Sequence, residues 1–263
     1  MQLTGIEAKV TIVTGAAQGI GEGIGRALVA SGARVVLADR NKEALEAISK
    51  ELRAAGADVL AVPTDLTNDA EIQALVERTI EVYGRIDALV NVAGVFKGAP
   101  ILDLSVSDYD LVFAVNTRAV FVLTQLVARQ MAQQKSGNIV TIASNAALIP
   151  RVQQSAYCAS KAAVSHLMRC FGLELAQYGI RCNSVLPGAA DTPMVQQLRA
   201  TMKPGDVDEA VQGSLEKFRN AIPLGRLASV EQIANAVLFL LSDQASHITL
   251  QDIVVDGGGA LGV

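Results

Sequence analysis

Tyr157 and Lys161 stand four residues apart, and Ser144 lies thirteen residues before the tyrosine. On a helix, positions i and i+4 share a face one turn apart, so this spacing sets an ammonium beside a phenol. A free tyrosine titrates near pH ~10, and a neighbouring cation favours the phenolate. The pair therefore predicts Tyr157 as a general acid or base whose hydroxyl is brought down by Lys161. Ser155 reads as the cap of the helix that carries both. Ser144 follows the apolar run Asn138 to Ala143, where the end of a strand could deliver its hydroxyl to the same substrate oxygen. A lysine stem lying along a half-buried ring would produce the same pair without any chemistry. Spacing alone does not choose between the two; the elements around it do.

The first of those elements is Val10 to Val13, a β-branched run fit for a strand buried on both faces. It leads into Thr14-Gly15-Ala16-Ala17-Gln18-Gly19-Ile20-Gly21 and then into a helical pattern with Ile24, Ala27 and Leu28 on one face. Strand, glycine turn and helix N-terminus together make a phosphate cradle of the dinucleotide-binding kind. The next strand, Arg34 to Ala38, ends at Asp39, 18 residues beyond Gly21, where a carboxylate can bind ribose hydroxyls and repel a 2′-phosphate. Gln18 adds no positive charge, so NAD is favoured over NADP. Arg40 is the dissenting residue, a cation that could meet a phosphate or simply face solvent.

Further strands are expected at Val59 to Val62, Ile86 to Val90, Ile180 to Leu186 and Ile253 to Val255. Helices are expected over Lys42 to Ala55, after the cap Asn68, over Asp108 to about Gln133, and over Val230 to Leu241. Asp65 reads either as a contact to the adenine amino group or as a loop cap. Asn91-Val92-Ala93-Gly94 is a run of small residues that would let a ribose approach the backbone. Asn116 interrupts an apolar stripe and needs partners if buried. The polar stretch 190–222 reads as a substrate lid. The alternation of strand and helix from end to end predicts one α/β domain over 1–263, a Rossmann-type doubly wound parallel sheet of about seven strands with helices on both faces. Ligands bind such sheets at the carboxyl ends of the strands, where Gly15, Asp39, Asp65, Asn91, Ser144 and Pro187 all fall.

Composition narrows the classes. The 263 residues are 51% hydrophobic and 18% charged, with a formal net charge of −4 and no basic run, which disfavours a nucleic-acid surface. Cys158, Cys170 and Cys182 form no CxxC pair and have no histidines at ligand spacing, so neither a metal site nor a disulfide is expected, and all three read as reduced, largely buried thiols. The apolar clusters are too short to span a bilayer and no leader pattern opens the chain, so a cytoplasmic protein is expected.

Thr14-Gly15-(x)3-Gly19-x-Gly21, Asn91 to Gly94, Asn116, Ser144, Tyr157-(x)3-Lys161 and Pro187-Gly188-(x)3-Thr192 together resemble the short-chain dehydrogenases/reductases over essentially the whole chain. Val92 departs from the alanine usual in that motif, which affects only local packing. The resemblance implies a catalytic tetrad of Asn116, Ser144, Tyr157 and Lys161 and, usually, a homotetramer. It also implies cofactor contacts at Gly15, Gln18, Gly19, Ile20, Gly21, Asp39, Asp65, Leu66, Asn91, Ala93, Gly94, Pro187, Gly188 and Thr192, besides Tyr157 and Lys161. In this pattern Asn116 orders water beneath Lys161. Ser144 to Ala147 with Pro150-Arg151, Ile222 to Gly225 and above all Ala245 to Gly258 resemble a narrower branch. Members of that branch oxidise a carboxylated cyclohexadiene diol with NAD to a catechol acid used in siderophores. Such a substrate asks for a cation, and Arg151 is the candidate, although an exposed arginine would look the same. Met194 is placed to cover the ring. The alternatives are the same tetrad acting on another alcohol, a sugar or a 3-oxoacyl thioester, and a non-catalytic NAD-binding sensor or scaffold.

Overall fold

The computed structural model describes residues 2–193, 195, 196 and 208–262. Seven strands form one sheet: β1 (Val10–Thr14), β2 (Arg34–Asp39), β3 (Val59–Pro63), β4 (Ala88–Asn91), β5 (Gly137–Ile142), β6 (Ile180–Pro187) and β7 (Asp252–Val255). Every pairing is parallel, in the order β3-β2-β1-β4-β5-β6-β7. β1 pairs β2 on one side and β4 on the other, so the winding reverses between β1 and β4 and opens a crevice at their carboxyl ends.

The central strands are apolar on both faces because helices cover both. On one side, Val13, Val35 and Leu37 pack under Ile24 and Leu28 of α1 (Gly19–Ala30), Leu45 of α2 (Lys42–Ala54) and Ile233 and Val237 of Val230–Leu241. On the other, Ile12, Val36 and Leu89 meet Ile72 and Leu75 of α3 (Asp69–Tyr83), Leu123 and Val127 of Ala119–Gln134, and Val164 and Met168 of Ser155–Leu175. Adjacent strand residues thus alternate between layers, the period-2 rule applied to a sheet with no wet face. Asn68 caps α3, its side chain accepting from Ala70 N at 3.0 Å. Ser229 and Gln232 cap Val230–Leu241 reciprocally in a capping box.

Three local expectations change. The helix carrying the tyrosine, α6 (Ser155–Leu175), begins with Ser155 inside it; Gln154 is the N-cap and its side chain caps nothing. The stretch expected as one helix from Asp108 is α4 (Val106–Phe113), a π turn (Ala114–Arg118) and α5 (Ala119–Gln134). Together these run from Val106 to Gln134, long and apolar enough by length and composition to cross a bilayer, contrary to the expectation that no apolar stretch was. Half of its most apolar stretch is buried within the fold, with Val112, Leu123, Val127 and Met131 in the core. Lastly, Cys182 is buried and Cys158 half-buried, but Cys170 is exposed; all three are free thiols.

Of the expected lid, 194 and 197–207 lie outside the described residues, and with them Met194. The rest includes a helical turn, Glu209–Gln212, and a tight loop closed by reciprocal backbone bonds between Ser214 and Arg219, at 2.9 and 2.8 Å.

Candidate active site

The glycine turn is built by close approach. Gly15 has φ +64°, and a Cβ there would stand 2.8 Å from the Ala93 Cα. A Cβ on Gly21 would overlap the Gly15 carbonyl oxygen. Only bare backbone lets β1 turn this tightly into α1 while the β4 end lies against it. Thr14 locks that junction: its Oγ1 accepts from both Val92 N (3.0 Å) and Ala93 N (3.2 Å). This role was missed from sequence, where the threonine reads only as the first residue of the glycine motif.

Asp39 closes the other side of the turn. Its carboxylate accepts from Ala17 N at 3.1 Å and Asn41 N at 2.9 Å, which fixes a negative charge at the end of β2 beside the glycine loop. Gln18 is exposed and is the N-cap of α1, without a side-chain cap bond. Ile20 packs partly buried against the α1 layer, and Leu66 against the opposite one. Thr192 lies over the loop, its Cβ and Cγ2 each 3.7 Å from where a Gly19 Cβ would be. Pro187 ends β6, and the Gly188 N–H donates to Val255 O at 3.0 Å.

Two acidic or amide candidates have local partners. Asp65 Oδ1 accepts from both Thr67 N (2.9 Å) and Thr67 Oγ1 (2.8 Å), bonds that hold its carboxyl below the usual range. That is the loop-capping arrangement. Asn91 turns its side chain inward, donating to Thr124 Oγ1 (3.1 Å) and Thr141 Oγ1 (3.2 Å).

The polar residues expected to do chemistry converge past the end of β5. Lys161 is 4% exposed; its Nζ donates to Ile142 O at 2.8 Å and lies 5.8 Å from the Tyr157 ring centroid. Burial brings the ammonium down to about 8. The half-buried Tyr157 ring meets Phe96 edge-on, with centroids 5.3 Å apart, and its hydroxyl is hydrogen-bonded to Ser144. Ser144 is itself 9% exposed and accepts from Ala146 N at 3.1 Å. A Cβ at Gly94 would stand 3.3 Å from Asn116 Oδ1 and 3.4 Å from Lys161 Nζ, so this corner is filled to contact by polar groups.

Tyr157 differs from the expectation in direction. Burial pushes its phenol above the ordinary tyrosine range, and the Ser144 hydrogen bond only partly opposes that. Desolvation of the phenolate is the dominant influence, and the Lys161 ammonium is committed to the Ile142 carbonyl. Asn116, expected to act on Lys161 through ordered water, makes no direct bond to it. The π turn directs it to Val95, accepting from Val95 N (2.8 Å) and donating to Val95 O (3.0 Å). A π turn at a buried polar residue is a frequent mark of a functional site.

Arg151 is half-buried, and burial together with the positive charge of Arg219 lowers its affinity for a proton. Asp256 opposes this, but its carboxylate already accepts from Asn145 Nδ2 (3.1 Å), Gly258 N (2.9 Å) and Ala260 N (2.7 Å). Arg219, half-buried in the Ser214 loop, was not singled out from sequence, because a lone arginine in a polar stretch carries no pattern. A cavity of about 450 Å³ lies beside Arg151, walled by Ala99, Pro100, Ile101, Leu102 and Val152. Among the described residues, no group of three or more His, Cys, Asp or Glu side chains could hold a metal.

This arrangement, a dinucleotide-type turn facing a serine, a tyrosine and a lysine across one sheet edge, defines a nicotinamide-dependent dehydrogenase of the short-chain type. A family model described as enoyl-(acyl carrier protein) reductase matches residues 15–259, and the chain belongs to the short-chain dehydrogenase/reductase family. Over its whole length and all of the relative's, it is 44% identical to a 2,3-dihydro-2,3-dihydroxybenzoate dehydrogenase of Bacillus subtilis. It is 43% identical to the Escherichia coli protein of the same name, covering 95% of this chain and 96% of that one. A solved 7α-hydroxysteroid dehydrogenase, complexed with NADH and 7-oxo glycochenodeoxycholic acid, superposes with a TM-score of 0.86 at 35% identity, covering 97% and 95% of the two chains.

Proposed function

We propose that this protein oxidises 2,3-dihydro-2,3-dihydroxybenzoate to 2,3-dihydroxybenzoate, a catechol acid of siderophore biosynthesis, with NAD. The observation that carries the reading is the Ser144, Tyr157 and Lys161 cluster at the sheet edge that holds the glycine turn, with Arg151, on the loop between Ser144 and Tyr157, lining an apolar cavity. The full-length likeness to two dehydrogenases of that name supports it.

The bare turn at Gly15 and Gly21 fits a pyrophosphate, and the Asp39 carboxylate fits an unphosphorylated adenosine ribose. NAD bound there supplies the hydride acceptor. In its phenolate form, the minor one at neutral pH, Tyr157 takes the proton of one ring hydroxyl, while Ser144, beside the phenol, holds the reacting oxygen. Lys161, at about 8, is mostly protonated at neutral pH and provides a fixed positive charge beside the phenol and the nicotinamide ribose. Pro187, Gly188 and Thr192 hold the carboxamide side. Arg151, with Arg219 near it, takes the substrate carboxylate. The resulting ketone tautomerises to an aromatic ring, which draws the oxidation forward.

A cytoplasmic homotetramer belongs to the same reading, supported by exposed apolar side chains on α5 and α6, such as Phe121 and Leu173. Light scattering should give four times the chain mass. The decisive assay mixes purified protein with NAD and the diol, following reduced nicotinamide and catechol fluorescence, with NADP in parallel. Turnover with NAD at least tenfold above NADP is expected, and absent from Tyr157→Phe. Bound NAD with an unreactive diol would transfer the proposal to another alcohol.

A further inference from the structure

Ser160 takes no part in the chemistry described so far, yet it is fully buried and both sides of its hydroxyl are engaged. Its Oγ donates to the Tyr157 carbonyl at 2.8 Å and accepts from Asn116 Nδ2 at 3.1 Å. Thr117, also in the π turn, donates from Oγ1 to the Ser160 carbonyl at 3.3 Å. Asn116 is thereby pinned at three points. Two bonds go to the Val95 backbone, and the third runs into α6 between the two residues assigned to proton transfer.

The Val95 pair alone decides which end of the amide is oxygen, but both of its bonds lie on the loop beyond β4. That loop and α6 are separate elements. The Asn116 to Ser160 bond ties the loop and π turn to the helix at the turn carrying Tyr157 and Lys161. Without it, a buried N–H loses its partner, which is costly enough to drive rotation or local opening.

We propose that Ser160 is a positioning residue that acts through Asn116, clamping the π turn to α6 and so holding the Asn116 corner against Lys161 and Tyr157. It touches neither substrate nor cofactor. The proposal rests on the assignment of Tyr157 and Lys161 to proton transfer, and its test includes a readout that needs no substrate.

The variant is Ser160→Ala, which should fold because alanine is the better helix former. Hydrogen exchange of the cofactor-free protein is measured first. The Val95 amide, whose acceptor is Asn116 Oδ1, should exchange at least about tenfold faster in the variant, with α6 amides unchanged. Steady-state kinetics with the diol should then show kcat down about tenfold, KM for NAD within twofold, and a displaced pH profile. Adding Ser160→Ala to Asn116→Ala should slow that variant no further, since the serine acts only through the amide. Unchanged Val95 exchange, or an additive double variant, would overturn the proposal. A protein inactive toward the diol but with accelerated Val95 exchange would sink the substrate assignment and keep the clamp. If Ser160→Ala does not fold, Ser160→Cys, close in size but a poor hydrogen-bonding partner, takes its place with the same expectations.

Discussion

Replacing Lys161 by methionine should stabilise the protein while abolishing its activity. Nζ is buried with one partner, the Ile142 carbonyl at 2.8 Å, and desolvation lowers the ammonium from 10.5 to about 8. At ~1.4 kcal/mol for each tenfold, that fall corresponds to about 3 kcal/mol of destabilisation at neutral pH. The sign follows from proton binding. The folded state releases its proton near pH 8 and the unfolded chain near 10.5, so the penalty is complete below 8 and disappears as pH rises through 10.5. Methionine has a similar length and no charge, but it gives up the Ile142 bond, worth about 1 kcal/mol. The net gain is about 2 kcal/mol at pH 7, or roughly 5 °C in Tm for a chain of this size. Thermal unfolding of cofactor-free protein at pH 7 and pH 10 checks it, alongside turnover, which should fall at least ~100-fold. A variant less stable than the parent at pH 7, or a difference equal at both pH values, would refute the reasoning that desolvation is what Lys161 costs the fold.

Gly21→Ala places a methyl group on the Gly15 carbonyl, so NAD affinity read by fluorescence titration should drop at least about tenfold, with little change in the far-ultraviolet spectrum. Unaltered affinity would mean the turn is not the phosphate cradle. Arg151→Met should raise KM for the carboxylated diol by about tenfold and leave that for the uncarboxylated cyclohexadiene diol nearly constant, as loss of a charged contact requires. Equal effects on both diols would instead assign Arg151 to packing of the loop before α6.

Most of the architecture was legible in the chain because each signal is local. Val10 to Val13, Arg34 to Ala38 and Ile180 to Leu186 are apolar runs that only a doubly covered sheet can bury, and the strands begin and end within two residues of those limits. Val230–Leu241 begins at its own capping box, so its start needed no tertiary information. The glycine turn, Asp39 and the Tyr157 to Lys161 spacing were likewise readable, since a four-residue interval on a helix fixes relative position. Family membership followed from the same residues.

Partner choice was not legible, because hydrogen bonds across the fold depend on which surfaces meet. Asn91 turned its amide to Thr124 and Thr141, and Asp65 its carboxylate to Thr67, each satisfied by a neighbour at hand. The π turn has no sequence signature, and only the packing of α4 and α5 against α6 set Asn116 between Val95 and Ser160. The elevated Tyr157 phenol came from burial, a property of the whole layer. The sequence by itself determined which groups stand at the sheet edge, since backbone periodicity is local. Tertiary structure alone decided what those groups touch and how readily they ionise, because desolvation and hydrogen bonding belong to the assembled interior.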